Sequence, residues 1–181
     1  MSGFYDEGAL RQAAINLFHG WGYNFYRAEN QLRADDQLVR SKAAWLLGMA
    51  RAAAEAAEAG YRRDFFAKPT REKPFPDAAV VEGARKLERL VAEIGALGGR
   101  LLAQPVPEND RMSQRYRDEA DTLKALMARD EQLVGQCALL HEMVDARDGT
   151  WALEHLPELQ EGLVAIQKTL RDREAVLLER K

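Results

Sequence analysis

Apolar residues recur at every third or fourth position along almost the whole chain, and nowhere do they alternate with polar residues over the length of a strand. A helix turns about 100° per residue, so this spacing collects apolar side chains on one face, whereas a half-buried strand needs a period of two. The pattern predicts an all-α protein: an antiparallel bundle of about five helices ending in a long C-terminal helical hairpin. With 181 residues the chain suits one domain. Its expected parts are an N-terminal helix pair over 1–63, a proline-rich link over 64–77, a third helix over 78–105 and the hairpin over 109–181.

The first helix is predicted from Tyr5 to Leu32, with the stripe Leu10, Ala14, Leu17, Phe18, Trp21, Phe25, Ala28 and Leu32. The second begins near Asp35 or Asp36 as cap and continues to Tyr61. It carries one stripe of Ala43, Leu46, Leu47, Ala50, Ala54, Ala57 and Tyr61, and on its other side Trp45, Met49, Ala52, Ala56 and Ala59. A helix apolar on most sides is one that neighbours surround, so it belongs at the centre. Asp77 caps the third helix, whose stripe is Val80, Ala84, Leu87, Val91, Ile94 and Leu101; Gly95, Gly98 and Gly99 predict a kink, a close crossing or an early stop.

The fourth helix, Asn109 to Ala146, spaces Met112, Tyr116, Glu119, Leu123, Leu126, Asp130, Leu133, Cys137, Leu140 and Val144 close to a heptad. The acids Glu119 and Asp130 fall on that seam. Helical drift is expected to turn them out in favour of Ala120, Met127 and Val134; the other reading is a functional buried acid. Gly149 is expected to cap this helix and Pro157 to open the last one, whose end, from Arg171, reads as mostly solvated.

Several chemistries lack their residues. A diiron bundle needs Glu-x-x-His, but Asn16, Ala138 and Ala152 stand three residues before His19, His141 and His155. The run His141-Glu142-Met143-Val144-Asp145 has Asp145 where a zinc helix carries its second histidine; His141 reads as a cation favoured by a helix C-terminus, with Asp145 a turn away. No serine lies in a nucleophile elbow, Cys137 is a small seam residue, and no glycine-rich phosphate loop is present. The expectation is therefore no catalytic residue, no metal and no cofactor. A net charge of −3 gives no general attraction to nucleic acid. No secretory leader is visible, and the longest uninterrupted apolar run, Ala43–Ala50, is eight residues, against about 20 for a spanning helix. The expectation is a cytoplasmic protein off the membrane.

Two features point to binding. In residues 18–30 the core stripe Phe18, Trp21 and Phe25 has a second, polar-aromatic stripe about 160° away, made of His19, Tyr23, Tyr26 and Asn30, with Arg27 beside it. That face suits internal packing, an interface rich in tyrosine and arginine, or a ligand pocket opened by Gly20 and Gly22. The second feature is the link. From Tyr61 to Pro76 it holds Arg62, Arg63, Lys68, Arg71 and Lys73 against Asp64 and Glu72, a local +3, with Tyr61, Phe65, Phe66 and Phe75 interleaved. Such a segment can dock on its own bundle, hold a protein partner or stack on nucleic-acid bases. The leading expectation is a non-enzymatic protein-interaction module (adaptor, assembly factor or regulator) that binds another protein and can also self-associate. The alternative is a bundle that holds a small molecule or metal cofactor, whether or not as an enzyme, in a pocket beside Gly20 and Gly22 reached by His19, Tyr23, Tyr26 and Asn30.

Overall fold

The computed structural model describes residues 3–20, 32–104 and 116–178. These residues form a 3-10 turn, Gly3–Tyr5, and six α-helices: α1 Glu7–Gly20, α2 Leu32–Phe65, α3 Ala78–Ala103, α4 Tyr116–Val144, α5 Gly149–Glu154 and α6 Leu156–Leu178. No strand occurs among the described residues, and none of their helices is long and apolar enough to cross a membrane. The all-helical bundle expected from the periodicity is the fold observed.

The contacts give the directions. Tyr61 lies against Gly83, Arg51 against Gly95, and Arg40 reaches Gln104, so α2 and α3 run antiparallel. Asp130 pairs with Arg173 while Gln136 and Gly162 both meet Phe4, so α4 and α6 run antiparallel. Gln104 bonds the Leu170 carbonyl at one end, and at the other Gly83 meets Leu153 of α5, which leads directly into α6, so α3 runs parallel to α6. The turn and α1 lie antiparallel along α4, with Phe4 buried against Gly162 and the Leu10 backbone against Gly135. The shared core is Leu46, Leu47, Leu87, Leu90, Ile94, Leu101, Leu133, Leu140, Leu159 and Ile166.

Asp77 caps α3 as expected, its carboxylate accepting from the Ala79 amide at 3.1 Å. Gly95, Gly98 and Gly99 do not stop the helix, which continues through them to Ala103. Each glycine costs only about 1 kcal/mol, and the buried run Leu90, Ile94, Leu97, Leu101 outweighs it. The second helix starts at Leu32, a residue expected to close the first, and extends to Phe65.

Gly149 does not cap α4. It opens α5, which sequence reading missed, behind an Asp148 cap whose carboxylate accepts from the Trp151 amide at 2.8 Å. Its lack of a side chain serves packing: a Cβ there would lie 2.6 Å from Tyr61 Cβ and 2.8 Å from the Ala57 carbonyl. The left-handed turn after α4 falls on Ala146 instead, at φ 53°. An L-residue there is strained by about 1–2 kcal/mol, and glycine adds about 0.4–1 kcal/mol of unfolded-state entropy. Ala146→Gly should therefore stabilise by a net ~0.5–1 kcal/mol, read as a Tm rise of about 2 °C; a fall in Tm would refute this account.

Asp130 does not drift outward. It is buried, and its Oδ1 accepts from Arg173 Nε at 2.8 Å. The α6 end, mostly solvated as expected at Arg171, Glu174 and Ala175, therefore carries one fully buried arginine. Arg173 Nη1 also donates to Gln104 Oε1 at 2.8 Å, Gln104 Nε2 donates to the Leu170 carbonyl at 2.7 Å, and Arg40 Nη1 donates to the Gln104 carbonyl at 2.9 Å. Polar bonds thus tie α2, α3, α4 and α6 together at the end of the bundle opposite the link. Burial lowers the Arg173 guanidinium to about 10, well above neutral, so it stays charged. The acid on the seam is structural: it answers a buried cation.

Candidate interaction surface

The first expected surface lies outside the described residues. Tyr23, Tyr26, Arg27 and Asn30 fall between α1 and α2, and the description of His19 stops at its backbone, at the end of α1. Of the first helix's apolar stripe, Leu10 and Ala14 are buried and Leu17 is half-buried.

The link is described in full, and it divides into a root and an arm. At the root, the Tyr61 and Phe65 rings pack at a tilt of 32° with centroids 4.7 Å apart, and the Arg62 guanidinium lies 5.5 Å from the centre of the half-buried Phe66 ring. Arg62 also hydrogen-bonds Glu58 and reaches Glu88 of α3 at 3.5 Å. The Glu58 bond, with the charges of both acids, raises the Arg62 pKa above its ordinary value. Arg62 and Phe66 therefore fasten the link to its own bundle.

Beyond them the chain turns outward. Arg63, paired with Asp64 at 3.2 Å, is exposed, as are Phe65, Lys68, Arg71 and Lys73. The Thr70 amide donates to the Lys73 carbonyl and the Lys73 amide to Thr70 Oγ1, both at 3.0 Å, closing a tight turn that carries Arg71. Phe75 follows between Pro74 and Pro76 and is 83% exposed, the most exposed large apolar side chain described. Of the sequence-predicted link residues, four (Arg63, Phe65, Lys68 and Arg71) are thus displayed to solvent, and two (Arg62 and Phe66) are held at the root.

Sequence reasoning misjudged a third surface. Trp45, Met49, Ala52, Ala56 and Ala59 were expected against neighbouring helices, and all five are exposed, Trp45 by 50%. The described helices pack on the opposite side of α2, where Ala43, Leu47, Ala50, Ala54 and Ala57 are buried. The five lie within an arc of about 80° on the helical wheel. The signal available beforehand was the lack of a counterpart: the apolar stripe of α3 faces the common core, and its other side carries Glu82, Arg85, Glu88 and Arg89. Exposed Leu102 and Val164 stand singly and need no such explanation.

The remaining reactive side chains are built into the packing. Cys137 is fully buried and desolvation pushes its thiol up, away from the nucleophilic thiolate. Burial also raises Glu131, opposed by Arg11 at 3.1 Å. Arg147, Trp151 and His155 stack along α5, with the guanidinium 4.8 Å and the imidazole 4.0 Å from the indole centre, and His155 Nδ1 lies 2.9 Å from the Trp151 carbonyl oxygen. Compared with protein-family models, curated proteins and solved structures, the chain matches none.

Proposed function

We propose that this protein is a non-enzymatic interaction module, an adaptor, assembly factor or regulator, which docks another protein through its link. One observation carries the reading: Phe75 stands 83% exposed between two prolines, with Arg71 and Lys73 beside it. Proline fixes its own φ and confines the residue before it to extended backbone, so Phe75 is presented with little conformational freedom left to lose. Aromatic residues are enriched at interfaces and serve as anchors in partner pockets, and a preorganised one binds at lower entropic cost. The exposed cations define the partner's chemistry: an apolar pocket with an acidic rim, reached faster because opposite charges steer the encounter.

Native purification with identification of bound partners by mass tests this, comparing wild type with Phe75→Ala and with the Arg71→Glu/Lys73→Glu pair. Truncating a hot-spot aromatic costs about 2 kcal/mol or more, so Phe75→Ala should weaken the captured partner's affinity by roughly thirtyfold with unchanged helicity. The charge reversal should slow association and remove its salt dependence. Equal binding by all three proteins refutes the reading. Retention on heparin that falls steeply with salt would assign the link to nucleic acid instead.

A further inference from the structure

The turn before α1 divides between solvent and core. Gly3 and Tyr5 are exposed, while Phe4 between them is buried. Its ring enters a socket built by α6 and α4. A Cβ on Gly162, inside α6, would lie 2.5 Å from the ring Cζ and 2.8 Å from both Cε atoms, so glycine there leaves room for the ring tip. Leu139 of α4 comes within 3.3 Å of the position a Cβ on Gly3 would take. Gln136 of α4 holds the backbone, its Nε2 donating to the Phe4 carbonyl at 3.0 Å.

Only half of the Gln136 amide is used. The residue has no exposure to solvent, yet its Oε1 accepts no hydrogen bond. A buried acceptor left unmade is costly, and the reason here is backbone geometry. A primary amide presents a donor and an acceptor side by side. Its counterpart is an extended residue, whose own N–H and C=O point to the same side, as in the doubly bonded pairs of an antiparallel sheet. Phe4 instead sits in a 3-10 turn, with the Asp6 amide donating to the Gly3 carbonyl at 3.3 Å. In a helical turn N–H and C=O point to opposite ends of the axis, so Phe4 answers Gln136 with its carbonyl alone.

We propose that this socket binds an extended, phenylalanine-bearing segment of a partner protein, and that the chain's own Phe4 is the plug such a segment replaces. The incoming residue sets its ring against Gly162, accepts from Gln136 Nε2 with its carbonyl and donates to Gln136 Oε1 with its N–H. It makes the contacts of Phe4 and one more. Displacement leaves α1 intact: Asp6, which caps α1 by accepting from the Ala9 amide at 3.0 Å, lies on the helix side of the turn.

The probe is N-acetyl-phenylalanine methylamide, a single residue with both its peptide groups. Phe4→Ala in the full chain removes the ring that fills the socket, and this variant should bind the probe with a Kd below about 1 mM. Shifts of the Gln136 side-chain amide and of the Gly162 amide in nitrogen-15 spectra report the binding. Wild type, whose tethered plug competes at high effective concentration, should bind at least roughly tenfold more weakly. Methylating the phenylalanine nitrogen of the probe removes the N–H meant for Oε1 and should weaken binding to Phe4→Ala about tenfold. With Gln136→Met added, the two probes should bind alike, and both weakly. Phe4→Leu retains part of the ring's volume and should rank the probes in the same order at lower affinity, which keeps the test decisive where alanine loosens the fold. Equal binding of both probes to the Phe4 variants shows that Oε1 is served by water, and overturns the proposal. So does a lack of saturable binding at unchanged helicity. Dimers formed on mixing wild type with Phe4→Ala would assign the socket to turns exchanged between copies, and overturn it equally. None of these outcomes bears on the link, whose partner is tested at Phe75.

Discussion

Asp130→Ala should lower the melting temperature by about 10 °C. The carboxylate removed is the 2.8 Å partner of Arg173, a side chain with no exposure to solvent. Removing one member of a buried ion pair costs about 3–5 kcal/mol, because the remaining charge stays out of water and has lost an ionic partner. In a chain of this size each kcal/mol moves Tm by roughly 2–4 °C. Arg173 does not escape by giving up its proton, because a guanidinium stays protonated in proteins. Nor can it swing outward without breaking its bond to Gln104, which joins α3 to α6. Thermal melts of the single variant and of Asp130→Leu/Arg173→Met together separate two explanations. An ion pair replaced by apolar residues of similar size is nearly neutral. The double variant should therefore recover most of the loss, short of about 1 kcal/mol for the donor that Gln104 Oε1 no longer receives. A single variant within 1 °C of wild type would show that the pair does not hold this end of the bundle.

Gly135→Ala should destabilise although it puts the best helix former in place of the poorest but proline. In an open helix position the change gains about 1 kcal/mol. In α4 the new Cβ would run into the carbonyl oxygen of Leu10, and the Leu10 carbonyl carbon and Cα would each be 2.8 Å away. These are backbone atoms of another helix, which cannot rotate aside, so α1 must lift. Overpacking of this kind costs typically 1–3 kcal/mol. The loss spreads along the seam: Arg11 leaves Glu131, and the Gln136 bond to the Phe4 carbonyl goes with the turn that seats Phe4 on Gly162. Amide hydrogen exchange should therefore speed up in Glu7–Gly20 well before it changes in α3 or α6. Gly98→Ala is the control. It meets nothing within 4 Å and should stabilise by about 1 kcal/mol. If the two alanines act in the same direction, close approach of α1 is not what glycine at 135 provides.

Much of this fold is written in local pattern. The seams of α2, α3 and α4 are the periodic positions: Leu46, Leu47, Ala50; Ala84, Leu87, Ile94; Leu133, Cys137, Leu140. The Asp77 cap and the proline-broken link are equally local, since one needs only a carboxylate two residues from an amide and the other only the covalent geometry of proline. The errors occur where a residue's role depends on a distant one. Asp130 looked out of place on an apolar seam because its partner is 43 positions away. Gly149 looked like a cap because the contact that excludes a side chain comes from Ala57 and Tyr61 on another helix. The binding residues divide the same way. The link was recognisable from its composition, and Glu58 one turn before Arg62 is local, but that Arg62 also reaches across to another helix could be read only from the approach of Glu88.

Periodicity, caps and breakers, all acting within a few turns, determined that this chain is helical, roughly where its helices lie and which face of each is apolar. They did not determine which apolar faces would be covered. Burial depends on what packs across from a face, and a single stripe carries no record of its partner. Only the tertiary structure left Trp45, Met49 and Phe75 in solvent while enclosing Arg173, because the packing of the other helices settles where water remains.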